Sequence, residues 1–171
     1  MATATVNYSG NNTITMDLAN LGTSSTFTLG RECTQIDNTS NKYMDALVSG
    51  SISVGSTGMT ANTVLAVYVW GSDSALSNSV PLNTLEGSDG QRTLTNVGIL
   101  NALRLGATVG VPATTNNQKY IVLPFSVASL FGGVMPKYWG LFVSQNTGAS
   151  LYNNAVNTNS FEYIGIKYDV A

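Results

Sequence analysis

The stretch "TVLAVYVWG", residues 63–71, is apolar over nearly its whole length. Successive side chains of a β-strand point to opposite faces of the sheet. Both faces would therefore be apolar here, with Val64, Ala66, Tyr68 and Trp70 on one and Leu65, Val67 and Val69 on the other. A strand that is covered on both faces lies inside a structure. The stretch predicts a central strand of a β-sandwich whose outer face meets another surface.

The segment before this stretch has the pattern of a half-buried strand. Apolar and polar residues alternate through residues 42–54, which is the period of two that a strand requires. One face would hold Met44, Ala46, Val48, Ile52 and Val54, and the other Asp45, Ser49, Ser51 and Ser53, interrupted by Leu47.

The entrance of this half-buried strand concentrates four reactive side chains: Asp37, Lys42, Tyr43 and Asp45. A catalytic site needs a base, a nucleophile and an oxyanion donor that converge on one point, and this spacing does not provide them. The run "DNTSN", residues 37–41, is instead a dense turn signal, because such side chains bond their own backbone. We interpret the cluster as the entrance of a strand.

Further strand signals follow along the chain, separated by clusters of Gly, Asn and Ser. Residues 71–96 form a long polar excursion, a segment between two strands that we expect to protrude as a loop. Residues 97–111 are compatible with a short helix or a strand. Pro124 indicates an edge strand or a bulge. The remaining strand segments are residues 26–36, 119–131, 137–145 and 161–170. About seven or eight antiparallel strands predict an all-β fold, an antiparallel β-sandwich of the jelly-roll type.

Residues 1–23 differ from the rest of the chain, because they are polar and strand-prone with widely spaced apolar residues. Chain ends fray unless something holds them. We therefore predict an extended N-terminal arm, residues 1–23, which is held by a partner or a neighbouring copy and precedes a single sandwich domain, residues 24–171. The candidate partner contacts on this arm are Val6, Tyr8, Ile14, Met16, Leu18 and Leu21.

The low charge content limits the kinds of partner that the protein is expected to bind. Only 9% of the 171 residues are charged, compared with about 25% in ordinary soluble domains. A surface of Ser, Thr, Asn, Gln and Gly suits a protein packed against copies of itself or a larger assembly. The net charge is −2 and the seven basic residues are scattered, which argues against nucleic-acid binding. No apolar run is long enough to span a membrane and residues 1–20 do not resemble a signal peptide, so we expect no membrane association.

Few residues can carry catalysis or bind a metal. Cys33 is the only cysteine and the chain has no histidine, so neither a disulfide within the chain nor a thiol activated by histidine is available. Asp73, Glu86 and Asp89 share the long excursion, where a weak calcium site is the alternative to ordinary solvated charges. We predict that the protein is not an enzyme and that it has no cofactor and no metal site.

Four aromatic residues raise the alternative that the protein binds carbohydrate. Trp70, Tyr138, Trp139 and Tyr152 could form a stacking platform for sugars, as in sandwich domains that bind carbohydrate. Both tryptophans lie within apolar strand segments, however, which is typical of core or subunit-contact residues.

Four ordered phrases carry a resemblance to a known family. They are "IDNT-x-N-x-Y-x-DALVSG" from residue 36, "VYVWGS" from residue 67, "LFGG-x-x-P" from residue 130 and "NTGA" from residue 146. Over residues 24–171 the chain resembles the jelly-roll cement (decoration) proteins of tailed bacteriophages, which sit on the outside of the icosahedral head. The N-terminal arm is not covered by this resemblance.

The resemblance implies a structural virion protein on the outer capsid surface. Such a protein would bind the major capsid protein, bridge neighbouring capsid subunits and form a homo-oligomer, a dimer or trimer, through the second apolar face of residues 63–71. Deletion of residues 1–23 would then abolish attachment but leave the sandwich folded. The alternative is a head-fibre, spike or tail component that binds host-surface glycan.

Overall fold

The computed structural model describes residues 3–55, 58–112, 117–152 and 159–170. Two antiparallel sheets pack face to face, which confirms the predicted all-β sandwich. The elements in chain order are β1 (Ala4–Tyr8), β2 (Asn12–Ile14), β3 (Leu29–Glu32), β4 (Ile36–Asp37), β5 (Asp45–Ser53), β6 (Thr63–Ser72), β7 (Gly90–Thr93), a 3₁₀ helix (Val97–Ala102), β8 (Arg104–Val111), β9 (Lys119–Ser126), α1 (Val127–Leu130), β10 (Tyr138–Gln145) and β11 (Ser160–Val170).

The order of the strands is that of a jelly roll. The first sheet has the order β1-β11-β5-β9, with β2 also paired to β11. The second sheet has the order β7-β3-β10-β6-β8, with β4 also paired to β10. Along the chain, β1 and β2, then β5, β9 and β11 belong to the first sheet, and the strands between them belong to the second. This repeated crossing between two antiparallel sheets is the jelly-roll topology.

The main core lies between the two sheets. Inward-facing residues of β5, such as Val48 and Ile52, meet those of β6, such as Val67, and all three are fully buried. Trp139 adds the largest side chain, with its ring centroid 5.3 Å from that of Tyr163 in an edge-to-face arrangement. Burial on this scale is the main favourable term in the stability of the sandwich.

A second apolar cluster covers the outer face of β6. Trp70 is fully buried there, together with Leu76, Leu85, Leu94, Leu103 and Phe142. The residues that cover Trp70 come largely from the long excursion after β6, so this segment does not protrude as we expected. Trp70 is therefore not available for the homo-oligomer contact implied for this face, because side chains of the same chain cover it, whereas Val64 and Tyr68 are half-buried.

The boundary predicted at residue 23 is also corrected by the structure. β1 and β2 pair with β11 of the same chain and so belong to the first sheet. The backbone N–H of Asn20 donates to Leu151 O at 3.0 Å, and that of Leu151 donates to Leu21 O at 2.9 Å. Residues 3–23 are thus part of the sandwich, and residues 1 and 2 of the predicted arm lie outside the described residues.

A glycine in β10 makes room for a core tryptophan. A Cβ on Gly140 would lie 2.6 Å from Cζ2 of Trp70, whose ring is fully buried. We expect Gly140→Ala to lower the free energy of unfolding by about 1–3 kcal/mol through overpacking, measured by urea denaturation. The control is Gly110→Ala in β8, where a Cβ would meet nothing within 4 Å. Equal destabilisation by both variants would contradict this assignment.

Candidate functional site

The cluster at the entrance of β5 consists of local structural contacts. Asp37 accepts hydrogen bonds from the Thr39 hydroxyl at 2.6 Å and the Thr39 N–H at 2.7 Å, and these bonds lower the pKa of Asp37. Asp45 instead accepts from the Ser126 hydroxyl at 2.7 Å and from the N–H of Ala128 at 2.9 Å. The two carboxylates thus fix a turn and a strand–helix corner, which confirms the strand-entrance interpretation.

The candidate sugar platform is not assembled. Trp139 is buried between the sheets and Trp70 is buried on the opposite face of the second sheet. Tyr138 and Tyr152 are half-buried. The two tryptophans therefore cannot stack on a ligand, which confirms the core interpretation for both of them and rules out the alternative platform.

The thiol of Cys33 has no access to solvent. Its side chain is fully buried, and the N–H of Leu141 donates to its sulfur at 3.0 Å. Burial raises the pKa of Cys33 to about 12. A thiol in this state is an inert packing residue.

A charged network fastens the long excursion to the second sheet. Glu32 in β3 is fully buried and accepts hydrogen bonds from the N–H of Gly87 at 2.7 Å, the N–H of Glu86 at 3.0 Å and Arg92 Nε at 3.2 Å. Arg92 also contacts Glu86, at 2.9 Å. Glu32 therefore holds residues 86–92 through both backbone and side-chain contacts.

The loop carboxylate of Asp89 is held by a second arginine, Arg31. Arg31 donates to Asp89 through Nε at 2.6 Å and Nη2 at 2.8 Å, a bidentate pair. Of the three loop acids considered for calcium, Glu86 and Asp89 are thus paired with arginines. Among the described residues there is no group of three or more side chains that could hold a metal ion.

The pKa of Glu32 gives a testable pH dependence. Burial raises this pKa, and the effect outweighs the hydrogen bonds from Glu86, Gly87 and Arg92 that lower it. The folded state therefore favours the protonated carboxyl more than the unfolded chain does. The stability that this group contributes is present below the unfolded pKa of about 4.3 and is lost as pH rises through the raised pKa.

We therefore expect the unfolding free energy of the wild type, minus that of Glu32→Gln, to fall as pH rises from about 4. The glutamine does not titrate, so this difference isolates Glu32. Urea denaturation at several pH values measures it. A difference that stays constant over the whole range would contradict the assignment.

One apolar feature of the surface lies on the outer side of the first sheet. Val6 is paired with Tyr168, Tyr8 with Ile166, and Leu47 with Ile164, so each pair has its side chains on one face. Phe161 and Tyr163 point into the core, which places Ile164, Ile166 and Tyr168 on the outside. We call this surface the N-terminal face: Val6, Tyr8, Leu47, Ile164, Ile166 and Tyr168.

The N-terminal face is open to solvent at its outer end. Val6 is 50% exposed, Tyr8 60% and Tyr168 56%, whereas the remaining members are half-buried. A contiguous apolar patch of this kind on a protein surface marks an interaction site more often than an isolated apolar residue does. Within the described part of the chain, we take this surface as the candidate site for binding another protein.

Only part of the predicted contact set belongs to this face. Val6 and Tyr8 lie on it. Ile14, Leu18 and Leu21 are instead buried in the inter-sheet core of the same chain, and Met16 packs against that core. Ile164, Ile166 and Tyr168 are not among the residues predicted from the sequence, although their spacing of two in a strand is a signal for a common face.

No protein-family model, curated protein or solved structure matches this chain. Among the described residues, no helix is long and apolar enough to cross a membrane.

Proposed function

We propose that this protein is a capsid cement (decoration) protein of a tailed bacteriophage. It binds the outer surface of the head and bridges neighbouring major capsid subunits, which stabilises the shell. The role is structural, without an enzymatic reaction. Its partners are the major capsid protein and further copies of the same chain, as a dimer or trimer.

The N-terminal face is the observation that carries this proposal. It lies on the outer side of a sheet, and its exposed members Val6, Tyr8 and Tyr168 are apolar or aromatic. Tyrosine is enriched among the residues that dominate binding at protein interfaces. The low charge of the chain also suits close packing against a neighbouring protein, because few charges must lose their hydration.

Multiple copies explain how a small contact surface can stabilise a shell. A homo-oligomer that grips several capsid subunits converts its later binding steps into intramolecular ones. Each contact can then be weak while the whole assembly is held firmly. The shell is stabilised because its subunits cannot separate without breaking several contacts.

Particles of the phage that encodes the chain provide the first test. We expect the chain in purified particles in a simple ratio to the major capsid protein, with hundreds of copies, by quantitative gel densitometry. Particles that lack it should dissociate at a lower temperature and regain stability when the purified protein is added. Absence from the particles would overturn the proposal.

A variant of the N-terminal face connects the function to this surface. We expect Tyr168→Asp to weaken binding to deficient particles by roughly 30-fold or more, the effect of losing one dominant interface residue. The matched control is Val134→Asp, because Val134 is 71% exposed and is not part of this face. Sedimentation of the protein with particles measures both. Equal binding by the two variants would contradict the role of the face.

Exposed tyrosines also favour a second candidate function. Tyr8 and Tyr168 could stack on sugar rings, as expected of a head-fibre, spike or tail component that binds host-surface glycan. In that case Tyr168→Asp would reduce adsorption to host cells and leave the thermal stability of particles unchanged. A few tens of copies or fewer per particle would favour this alternative.

A further inference from the structure

Strand β1 forms one edge of the first sheet, and its outer side is open. Within the described residues, β1 pairs only with β11. The N–H of Ser9, the residue after β1, donates to Gly165 O at 2.8 Å, so the backbone groups of Ser9 point toward β11. Every second residue before Ser9 therefore also points its backbone groups toward β11, namely Asn7 and Thr5. The N–H and C=O groups of Ala4, Val6 and Tyr8 point to the open side.

These outward-pointing residues are arranged symmetrically about Val6. An antiparallel copy of β1 that is centred on Val6 would place Val6 opposite Val6 of the second copy, and Ala4 opposite Tyr8. All the outward N–H and C=O groups of both strands would then be paired. A centre at Thr5 would place Tyr8 opposite residue 2, which lies outside the described residues, and a centre at Asn7 would place Ala4 opposite Gly10, beyond the end of β1.

The side chains fit the same centre. On the N-terminal face, small Ala4 would stand beside large Tyr8 of the other copy, and two valines would meet at the axis. On the opposite face, Thr5 would stand beside Asn7. Apolar residues therefore meet apolar residues and polar residues meet polar ones, as stable cross-strand pairing requires.

The charges on β11 align differently for the different centres. Lys167 is level with Asn7 and Asp169 is level with Thr5. A centre at Val6 puts Lys167 of one copy level with Asp169 of the other, about 14 Å away across three strand spacings. A centre at Asn7 would align two lysines, and a centre at Thr5 would align two aspartates. Lys167 and Asp169 also pair with each other within one chain, at 3.4 Å. Salt largely screens exposed charges that are about 14 Å apart, so this alignment adds little to the preference for the Val6 centre.

Three other edge strands, β7, β8 and β9, carry features that oppose pairing. β9 has Lys119 and Pro124, which are common protections of edge strands. β7 is only four residues long and contains Arg92. β8 has a register shift at Gly106, against which the Phe125 ring packs. In contrast, the described part of residues 1–8 contains neither a charge nor a proline.

We propose that two copies of this chain associate through β1, antiparallel and centred on Val6, so that their first sheets form one continuous sheet. The N-terminal faces of both copies then join across the two-fold axis into one apolar surface twice as large. This inference deepens the homo-oligomer part of the proposed function, and it does not depend on binding to a capsid.

Sedimentation velocity of the full chain over a range of concentrations tests the association. We expect the wild type to form dimers. Val6→Lys places two like charges at the axis, and we expect the dissociation constant to rise by about 100-fold or more. Leu123→Lys is the matched control, because Leu123 is 74% exposed on the opposite edge strand β9. It should dimerise like the wild type.

A cross-link tests the position of the axis. Opposed residues of a hydrogen-bonded pair have Cα atoms about 5.5 Å apart, within the range that a disulfide spans. We expect Val6→Cys to form a covalent dimer under mild oxidation, and Leu123→Cys to remain monomeric on a non-reducing gel. The native Cys33 is fully buried and does not compete.

The outcomes separate this inference from the proposed function. A wild type that stays monomeric with a Val6→Cys variant that does not cross-link would overturn β1 pairing, even if the protein decorates capsids. Dimers that persist in Val6→Lys but are lost in Leu123→Lys would also overturn it. A dimer that cross-links through Val6→Cys but does not bind particles would support β1 pairing and contradict the capsid role.

Discussion

A variant that lacks residues 1–23 is expected to be unfolded at 25 °C, whereas a variant that lacks only residues 1–8 keeps the sandwich. The longer deletion removes Ile14, Leu18 and Leu21, which are 3%, 1% and 1% exposed. Truncation of one such side chain to alanine costs about 2–5 kcal/mol. Loss of all three therefore approaches or exceeds the whole stability of a typical domain, about 5–15 kcal/mol.

The shorter deletion removes β1 alone. All five residues of β1 are exposed, so the inter-sheet core loses nothing. Near-UV circular dichroism and thermal unfolding distinguish the two variants: a cooperative transition is expected for the deletion of 1–8 and none for that of 1–23. A cooperatively folded protein without residues 1–23 would contradict the corrected boundary and restore the separate arm.

The sequence was most informative where both faces of a strand are buried. Residues 63–71 predict a central strand, and β6 spans Thr63–Ser72 between β10 and β8. Pro124 indicates an edge strand or a bulge, and β9 is an edge strand. Even the ambiguous stretch 97–111 holds both alternatives in succession, a 3₁₀ helix and then β8. Local periodicity was sufficient in these places because burial itself imposes the pattern.

The errors arose where the decisive partner lies far away in the chain. β1 and β2 pair with β11, so the sheet joins the two ends of the described chain. No pattern within residues 1–23 shows that the last strand will meet them. The excursion after β6 was misjudged for the same reason, since Leu76, Leu85 and Leu94 are too widely spaced to indicate a common face.

The candidate site depends on the same long-range register. Val6 and Tyr8 were identified, but their neighbours Ile166 and Tyr168 become neighbours only through the pairing of β1 with β11. Met44 was placed on the buried face of its strand, yet it is 54% exposed, because β5 begins one residue later, at Asp45. Periodicity thus assigns a residue to a face, but the ends of strands and their partners decide which faces are open.

The buried carboxylate of Glu32 gives the second large effect. Glu32→Ala is expected to lower the free energy of unfolding by about 3–5 kcal/mol. The change removes the acceptor of the Glu86 and Gly87 N–H groups and leaves the partly buried Arg92 with one carboxylate fewer. For a chain of this size, such a loss lowers Tm by roughly 10 °C.

The control and a local readout separate this anchoring from a general effect of losing a glutamate. Glu162 is exposed on β11 and accepts a hydrogen bond from Asn11 at 3.1 Å, so Glu162→Ala is expected to cost less than about 1 kcal/mol. Amide hydrogen exchange at Glu86 and Gly87 should become faster in Glu32→Ala and stay unchanged in Glu162→Ala, because only Glu32 accepts from those amides.

If the two variants were equally stable, residues 86–92 would be held mainly by Asp89 and Arg31. Unchanged exchange at Gly87 would point to the same conclusion, and the buried carboxylate would then be a cost to the fold instead of its anchor.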